Sequence, residues 1–163
     1  MATNEEQKKH WVFRVHLADR AGALTSIASA FSNRGISIDT VVGHGASAAT
    51  RGDGDVVVTF WCTESGKDAI VRIVRRLSKI TGLEEHPYDS EILRKSAIVH
   101  VTRKLTPVDV AGRDTFLTCE LIRKDNDAFL YFLAGSPSEL DPILNRLGEE
   151  DILTDIVYSV VGL

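Results

Sequence analysis

The residues best suited to bind a ligand lie in a short segment, Leu17 to Leu24, between a predicted strand and a predicted helix. The first four N–H groups of a helix have no partner within the helix and lie at the positive end of its dipole, so a carboxylate binds there readily. Gly22 would let a ligand approach the main chain closely, and Asp19 could face an ammonium group. This arrangement predicts binding of a small zwitterion rather than catalysis.

The remaining reactive side chains show no spacing that predicts catalysis or a metal site. Cys62 and Cys119 are far apart and form no CxxC motif, so neither a zinc site nor a disulfide framework is indicated. We expect Cys62 to be buried as a small hydrophobe. The histidines lack metal-ligand spacing, and no Ser/His/Asp or paired-carboxylate arrangement can be argued. We therefore expect no catalytic residue, no metal and no cofactor.

Two further features have both a functional and a structural interpretation. His44 lies between two glycines in a long predicted loop, where it could contact an effector, although residues of surface loops more often have no such role. Arg72, Arg75, Arg76 and Lys79 lie on or near one side of the second predicted helix. They could bind nucleic acid, but a solvated helix face is the more common arrangement of such residues.

Composition and charge narrow the class of protein. The chain has 163 residues, of which 44% are hydrophobic, enough for one sizeable core or two small ones. Its net charge of -4 gives no general attraction to phosphate backbones. The first ten residues are polar, and no apolar run approaches the length that spans a membrane. We expect a soluble, cytoplasmic protein that binds neither nucleic acid nor a membrane.

The elements that position the ligand-binding segment follow from the hydrophobic periodicity. The predicted order is strand, helix, strand, strand, helix, strand: His10–Leu17, Leu24–Phe31, Ile36–Val42, Asp55–Cys62, Ile70–Ile80 and Leu83–Tyr88. Gly35 is placed to end the first helix in the left-handed conformation, and Gly82 to stop the second. Ser65 and Asp68 resemble a capping box. The order predicts a ferredoxin-like antiparallel sheet with two helices on one face.

A second, shorter unit is predicted to begin near Ala97. Its expected elements are three strands, a helix and a last strand: Ile98–Val101, Phe116–Leu121, Ala128–Leu133, Leu140–Leu147 and Ile152–Val161. The first crossover helix is missing, because residues 103–114 have little apolar periodicity and contain Pro107. The remaining helix could begin at Ser136-Pro137 or at Asp141-Pro142. We predict a tail at residues 1–9 and domains at residues 10–90 and 91–163.

Three stretches of the chain carry a resemblance to a known family. They are ADRAGALTSIASAFSNRGISIDTVVG, EILRKSAIVHV and the ending ILTDIVYSVVGL. The first resembles the ACT domain, a regulatory module that usually senses amino acids. Within that family the chain is most similar to the small regulatory subunit of acetolactate synthase. The resemblance implies a βαββαβ ACT domain followed by a reduced α/β lobe.

The resemblance also implies a function and a site. The protein would be non-catalytic, would bind a free amino acid, and would form a homodimer or larger assembly through its ACT domains, with the catalytic subunit of acetolactate synthase as a candidate partner. The effector would lie between paired domains. The implied effector-binding residues are Asp19, Gly22, Ala23 and Leu24, with Ile36 and Ser37 across the partner interface. The alternative is a free-standing sensor or transcriptional regulator with tandem ACT-like lobes that acts on another partner.

Overall fold

The first unit of the chain, Met1–Tyr88, is built on one sheet. The computed structural model describes residues 7–18, 21–45, 53–111 and 117–162 of the protein. Within these ranges the first unit contains β1 (Lys9–Ala18), α1 (Ala23–Ser32), β2 (Ile38–His44), β3 (Asp53–Cys62), α2 (Glu64–Val74) and β4 (Ile80–Pro87). The antiparallel strands run in the order β2-β3-β1-β4, so each helix joins two strands that are not neighbours. This confirms the ferredoxin-like plan.

The core of the first unit lies between the sheet and the two helices. Successive side chains of a strand point to opposite faces, and the β1 residues of the core cluster therefore share one face: Trp11, Phe13, Val15 and Leu17. Phe60 of β3 packs edge to face against Phe13 and Phe31, with ring centroids 4.7 Å and 4.8 Å apart. Cys62 is buried in the same cluster, which confirms its predicted role as a small hydrophobe.

The predicted bounds of the second helix are wrong at both ends. Thr63 precedes α2, and its Oγ1 accepts a hydrogen bond from the Gly66 N–H at 3.1 Å, so Thr63 is the capping residue and Ser65 is not. The helix ends at Val74, and Ile80 is the first residue of β4. A turn continues the apolar spacing after the helix ends, which is why the sequence pattern runs on.

Gly82 does not stop the helix either. It lies inside β4 opposite His16 of β1. A Cβ at Gly82 would lie 2.9 Å from Cδ2 of His16, so this position has no room for a side chain unless the histidine moves. Gly35, by contrast, has a φ of +65° just beyond α1, as predicted for a residue that ends a helix.

The second unit, Asp89–Leu163, is also one antiparallel sheet with helical cover. It contains β5 (Leu93–Val101), β6 (Thr118–Asp125), β7 (Ala128–Gly135), α3 (Pro137–Glu149) and β8 (Leu153–Gly162), with strand order β6-β7-β5-β8. The described residues between β5 and β6 form no helix, which confirms the reduced plan. Their turn is held by Asp109, which accepts hydrogen bonds from Arg103 and Thr106.

The third helix begins at the earlier of its two predicted starts. Pro137 is in the first turn after Ser136, and Pro142 lies inside the helix. A proline fits the first turn because the N–H that it lacks would have no helical partner there. None of the helices in the described ranges has the length and apolarity needed to cross a bilayer.

Candidate functional site

The residue that precedes α1 has the left-handed backbone conformation that glycine adopts without strain. Gly22 has a φ of +83° and immediately precedes α1. Its carbonyl accepts hydrogen bonds from the N–H of Ser26 at 3.0 Å and from Oγ of Ser26 at 2.9 Å. In the described part of the chain, α1 has no capping hydrogen bond from a side chain and no acidic residue in its first turn. Among these residues, no acidic side chain of the helix offsets the positive end of its dipole.

The other predicted residues of this turn differ in what they can contribute. Asp19 lies outside the described residues. Ala23 is buried in the core, so only its main chain could contact a ligand. Leu24 is 50% exposed, which leaves an apolar side chain on the surface of α1. The turn thus offers main-chain groups and one apolar surface residue.

Lys79 is part of this turn, although the sequence analysis placed it on a solvated helix face. It lies beyond the end of α2, and its Nζ donates a hydrogen bond to the Ala21 carbonyl at 2.6 Å. A Cβ on Gly22 would lie 3.0 Å from that Nζ. The signal that could have found it is strand pairing, since Lys79 accepts a hydrogen bond from the N–H of Ala18 at 3.0 Å.

Ile36 and Ser37 lie at the opposite end of α1 from Gly22. The helix has ten residues, a length of ~15 Å at 1.5 Å per residue. Ile36 is partly buried against the core and donates a hydrogen bond from its N–H to the Phe31 carbonyl at 3.1 Å, whereas Ser37 is exposed. One chain therefore does not bring the two halves of the predicted site together.

A cleft of about 260 Å³ opens beside Ile36. Its lining includes two basic residues, Lys8 and Arg34, and Gly66 from the first turn of α2. The cleft is large enough for a molecule of amino-acid size and has a positive rim. It lies at the end of the first unit away from the Gly22 turn, because Lys8 precedes β1 whereas that turn follows it.

A cluster of charged side chains crosses the sheet on the face opposite the helices. Arg14 and His16 alternate with the core residues of β1, and both contact Asp55 of β3, at 2.7 Å from the Nη2 atom of Arg14. His16 also contacts Glu84 of β4. The hydrogen bond to Glu84, opposed by burial and supported by Asp55, raises the pKa of His16. The sequence analysis missed this cluster.

The two carboxylates of this cluster respond in the opposite direction. The hydrogen bond from His16 is the main reason that the pKa of Glu84 is lowered. Burial raises the pKa of Asp55, but hydrogen bonds from Arg14 and His16 outweigh it and lower the pKa overall. Opposite charges so closely paired favour a structural ion network. In the described ranges no group of three or more His, Cys, Asp or Glu residues is placed to hold a metal ion.

His44 belongs to this same face rather than to the loop where it was predicted. It is the last residue of β2 and pairs with Asp55 in the sheet. Its Nε2 atom lies 3.8 Å from Oδ2 of Asp55. The structure therefore places His44 beside the charged cluster of the sheet.

Comparison with known proteins establishes the fold. No protein-family model matches the chain, and no curated protein matches it. Among solved structures, the small subunit of acetolactate synthase from Thermotoga maritima superposes with a TM-score of 0.68 over 95% of this chain and 96% of that one, at 15% sequence identity. The chain has the fold of that protein. At this identity the likeness establishes the fold and no more.

A second solved structure is more distant. The ligand-free regulatory subunit of aspartate kinase from Thermus thermophilus covers 86% of this chain and 91% of its own length, with a TM-score of 0.48 and 16% identity.

Proposed function

We propose that the chain is a non-catalytic regulatory protein that binds a free amino acid between the ACT domains of two copies. The domain would comprise residues 10–90, and residues 91–163 would form the C-terminal lobe. The observation that carries the proposal is the Gly22 turn, which presents the start of a helix without a side-chain cap among the described residues. The sequence resemblance to ACT domains and the shared fold support it.

The position of the two half-sites supports a site shared by two copies. Gly22 and Ser37 lie at opposite ends of α1, ~15 Å apart along the helix. A two-fold axis perpendicular to α1 and beside its middle would bring the Gly22 turn of one copy to the Ser37 end of the other, and the reverse contact would form at the same time. Two equivalent sites per dimer would result, each built from both chains.

The partner proposed for the assembly is the catalytic subunit of acetolactate synthase. The fold likeness is to a protein that is named as the small subunit of that enzyme and extends over both units of this chain. An effector that binds one association state better than another shifts the equilibrium between them, and such couplings are typically about 1–3 kcal/mol. Binding of the amino acid would in this way change the activity of the partner enzyme.

Calorimetry with the full chain tests the binding claim. Titration with each of the twenty amino acids should give saturable heat with at least one of them. Gly22→Val should weaken that binding at least about tenfold, because the side chain blocks the approach to the main chain. Gly148→Ala is the matched control, since a Cβ there meets nothing within 4 Å. Absence of binding by every amino acid would contradict the proposal.

The partner claim has a separate test. The purified chain is added to the acetolactate synthase catalytic subunit of the same genome, and enzyme activity is measured with and without the amino acid that binds. We expect the chain to change the activity and the amino acid to modulate that change. An unchanged activity, together with intact amino-acid binding, would favour a free-standing sensor that acts on another partner.

A further inference from the structure

The outer face of the second sheet, which is the face opposite α3, exposes apolar side chains. In β5 the core residues Ala97 and Val99 alternate with Ile98, which is 43% exposed. Val157 of β8 is paired with Ile98 and is 70% exposed, and Val161 of the same strand is 42% exposed. An antiparallel sheet commonly turns polar residues outward on the face that no helix covers. The second sheet departs from this alternation.

The register of the strands places these apolar residues in one row across the outer face. Phe132 of β7 is paired with Ile98 on one side, and Val157 is paired with it on the other. The next row is made of small residues, among them Ser96 and Ser159, whose hydroxyls form a hydrogen bond at 2.9 Å. Part of the hydrogen-bonding capacity of this row is thus met within the sheet itself.

The first sheet has a different surface at the equivalent place. Its strand order, β2-β3-β1-β4, matches β6-β7-β5-β8, so the two uncovered faces correspond strand by strand. The face of the first sheet carries the charged cluster of Arg14, His16, Asp55 and Glu84. The apolar character of the outer face is therefore a property of the sequence and not of the topology. Exposed apolar patches rimmed by polar residues mark protein–protein contact sites.

The two edges of the outer face carry opposite charges. Arg123 of β6 is paired with Leu130 of β7. Leu130 is paired with His100 of β5, and His100 with Asp155 of β8, so these four residues form one row between the two edge strands. Arg123 also contacts Asp125, but its side chain is 63% exposed and its guanidinium has five N–H donors. Each row end can therefore accept a partner of opposite charge.

We propose that the outer face packs against the outer face of a second copy of this chain. A two-fold axis parallel to the strands, through the middle of the sheet, exchanges the two edges and brings Arg123 of each copy to Asp155 of the other. The same rotation places Phe132 over Ile98 of the other copy. A two-fold contact requires a surface that is complementary to itself, and the outer face meets this requirement in both shape class and charge. The inference goes beyond the proposed function, because it concerns the second unit.

The size of the outer face fits a weak, reversible contact. Four strands spaced ~4.8 Å apart and eight residues or more in length cover about 500 Å² in each copy, or about 1,000 Å² in two. Specific interfaces commonly bury about 1,200–2,000 Å², and those below this range are weak or transient. We therefore expect an association that depends on protein concentration.

Sedimentation velocity of the full chain in a dilution series tests the contact. Val157→Glu should weaken self-association at least about tenfold, because the new carboxylate would be buried in the contact and would face Glu120, which ends the same row, of the other copy. Val108→Glu, at a 77% exposed position of the same unit, is the matched control and should stay within about twofold of the wild type. Any association through the first unit is the same in both variants.

Charge reversal tests the geometry of the contact. Asp155→Arg alone and Arg123→Asp alone each place like charges opposite one another and should weaken self-association about fivefold. A chain that carries both substitutions restores both cross-copy pairs, so it should associate within about twofold of the wild type. Recovery in the double variant requires that the two positions meet between copies.

The outcomes separate this inference from the proposed function. A wild-type chain that stays monomeric, equal association of Val157→Glu and Val108→Glu, or a double reversal no better than the single ones overturns it. If Val157→Glu keeps self-association but no longer changes the activity of the acetolactate synthase catalytic subunit, the face belongs to that partner and the inference is likewise overturned. A chain that binds no amino acid overturns the proposed function and leaves this contact unaffected.

Discussion

The Nε2 atom of His16 lies 2.7 Å from Oε1 of Glu84, and its Nδ1 atom lies 2.5 Å from Oδ1 of Asp55. Because β1 lies between β3 and β4, a protonated ring joins three neighbouring strands on the face opposite the helices. The contact with Glu84 is the main reason that the pKa of His16 is raised above its ordinary value of 6.5. The folded structure therefore favours the protonated imidazole more than an unfolded chain does.

The stability of the first unit should fall as the pH rises through the raised pKa of His16. A group whose pKa is raised on folding stabilises the protein fully below its unfolded pKa, and this contribution is lost as the pH rises through the folded pKa. We expect His16 to account for a loss of about 1 kcal/mol in the free energy of unfolding as the pH rises from below 6.5 through its raised pKa. Urea unfolding followed by tryptophan fluorescence measures it, because Trp11 and Trp61, the two tryptophans of the chain, both lie in the first unit.

The control for this pH dependence is a histidine of the second unit. His16→Gln should flatten the alkaline slope, whereas His100→Gln, at an exposed position of β5, should leave it unchanged. The pKa values of Asp55 and Glu84 are lowered, so these carboxylates have the opposite effect on stability. Their contribution to the free energy of unfolding is lost as the pH falls through the folded pKa of each carboxylate. An alkaline slope that persists in His16→Gln would show that another group is responsible.

The two left-handed glycines next to α1 should differ in their tolerance of alanine. Gly22 and Gly35 have φ values of +83° and +65°, and a left-handed conformation costs a residue with a Cβ roughly 1–2 kcal/mol. A Cβ at Gly35 meets nothing within 4 Å, whereas one at Gly22 would lie 3.0 Å from the Lys79 ammonium and would press on the group that donates to the Ala21 carbonyl. We expect Gly22→Ala to cost about 1 kcal/mol more than Gly35→Ala in urea unfolding.

The control makes the same two alanine substitutions in a chain that already carries Lys79→Gln, and compares their costs in stability again. Gln has a shorter side chain and no charge, so the extra cost of Gly22→Ala should shrink there while the cost of Gly35→Ala stays the same. An extra cost that is unchanged without the ammonium would mean that the contact between Gly22 and Lys79 does not contribute to stability.

The junction between α2 and β4 shows which part of the site the sequence predicts and which part it does not. Alternation and helical spacing predict β1, α1 and the Gly22 turn correctly, because these are local patterns. The same spacing carries the predicted helix on to Ile80, since Leu77 and Ile80 pack against the core from a turn and a strand start. Lys79 was therefore placed on a helix face, and its contact with Ala21, 58 residues away, was not foreseen.

The charged cluster shows the same limit of local patterns. His16, Asp55 and Glu84 belong to three different strands, and only the register of the sheet brings them together. Nothing in the spacing of these residues along the chain predicts a shared face. The distance between Gly22 and Ser37 likewise depends on where α1 begins and ends, and the structure is what gives those bounds.

A buried ion pair in the second unit should be sensitive to the loss of one partner. Nζ of Lys95 lies 2.5 Å from Oδ1 of Asp141 on α3, and the side chain of Lys95 is only 7% exposed. Removing one partner of a buried ion pair typically costs about 3–5 kcal/mol. Because Asp141 is partly exposed, we expect Asp141→Ala to cost about 2 kcal/mol, measured as faster hydrogen exchange in β5.

An exposed ion pair in the same unit is the control for the buried pair. Arg123 and Asp125 form an ion pair with both side chains more than half exposed. Exposed pairs contribute about 0–1 kcal/mol, so Arg123→Ala should leave hydrogen exchange in β5 nearly unchanged. Similar effects of Asp141→Ala and Arg123→Ala would contradict a stabilising role for the buried pair.

The most direct test of the central claim mixes two variants that should each be unable to bind the amino acid. Gly22→Val blocks the turn, and Ser37→Trp fills the exposed position at the other end of α1. If the site is shared between two copies, a mixed dimer keeps one intact site. Equal mixing and subunit exchange should therefore restore about a quarter of the wild-type sites in calorimetry. A mixture that exchanges subunits but binds no more than either variant alone would contradict a site shared between two chains.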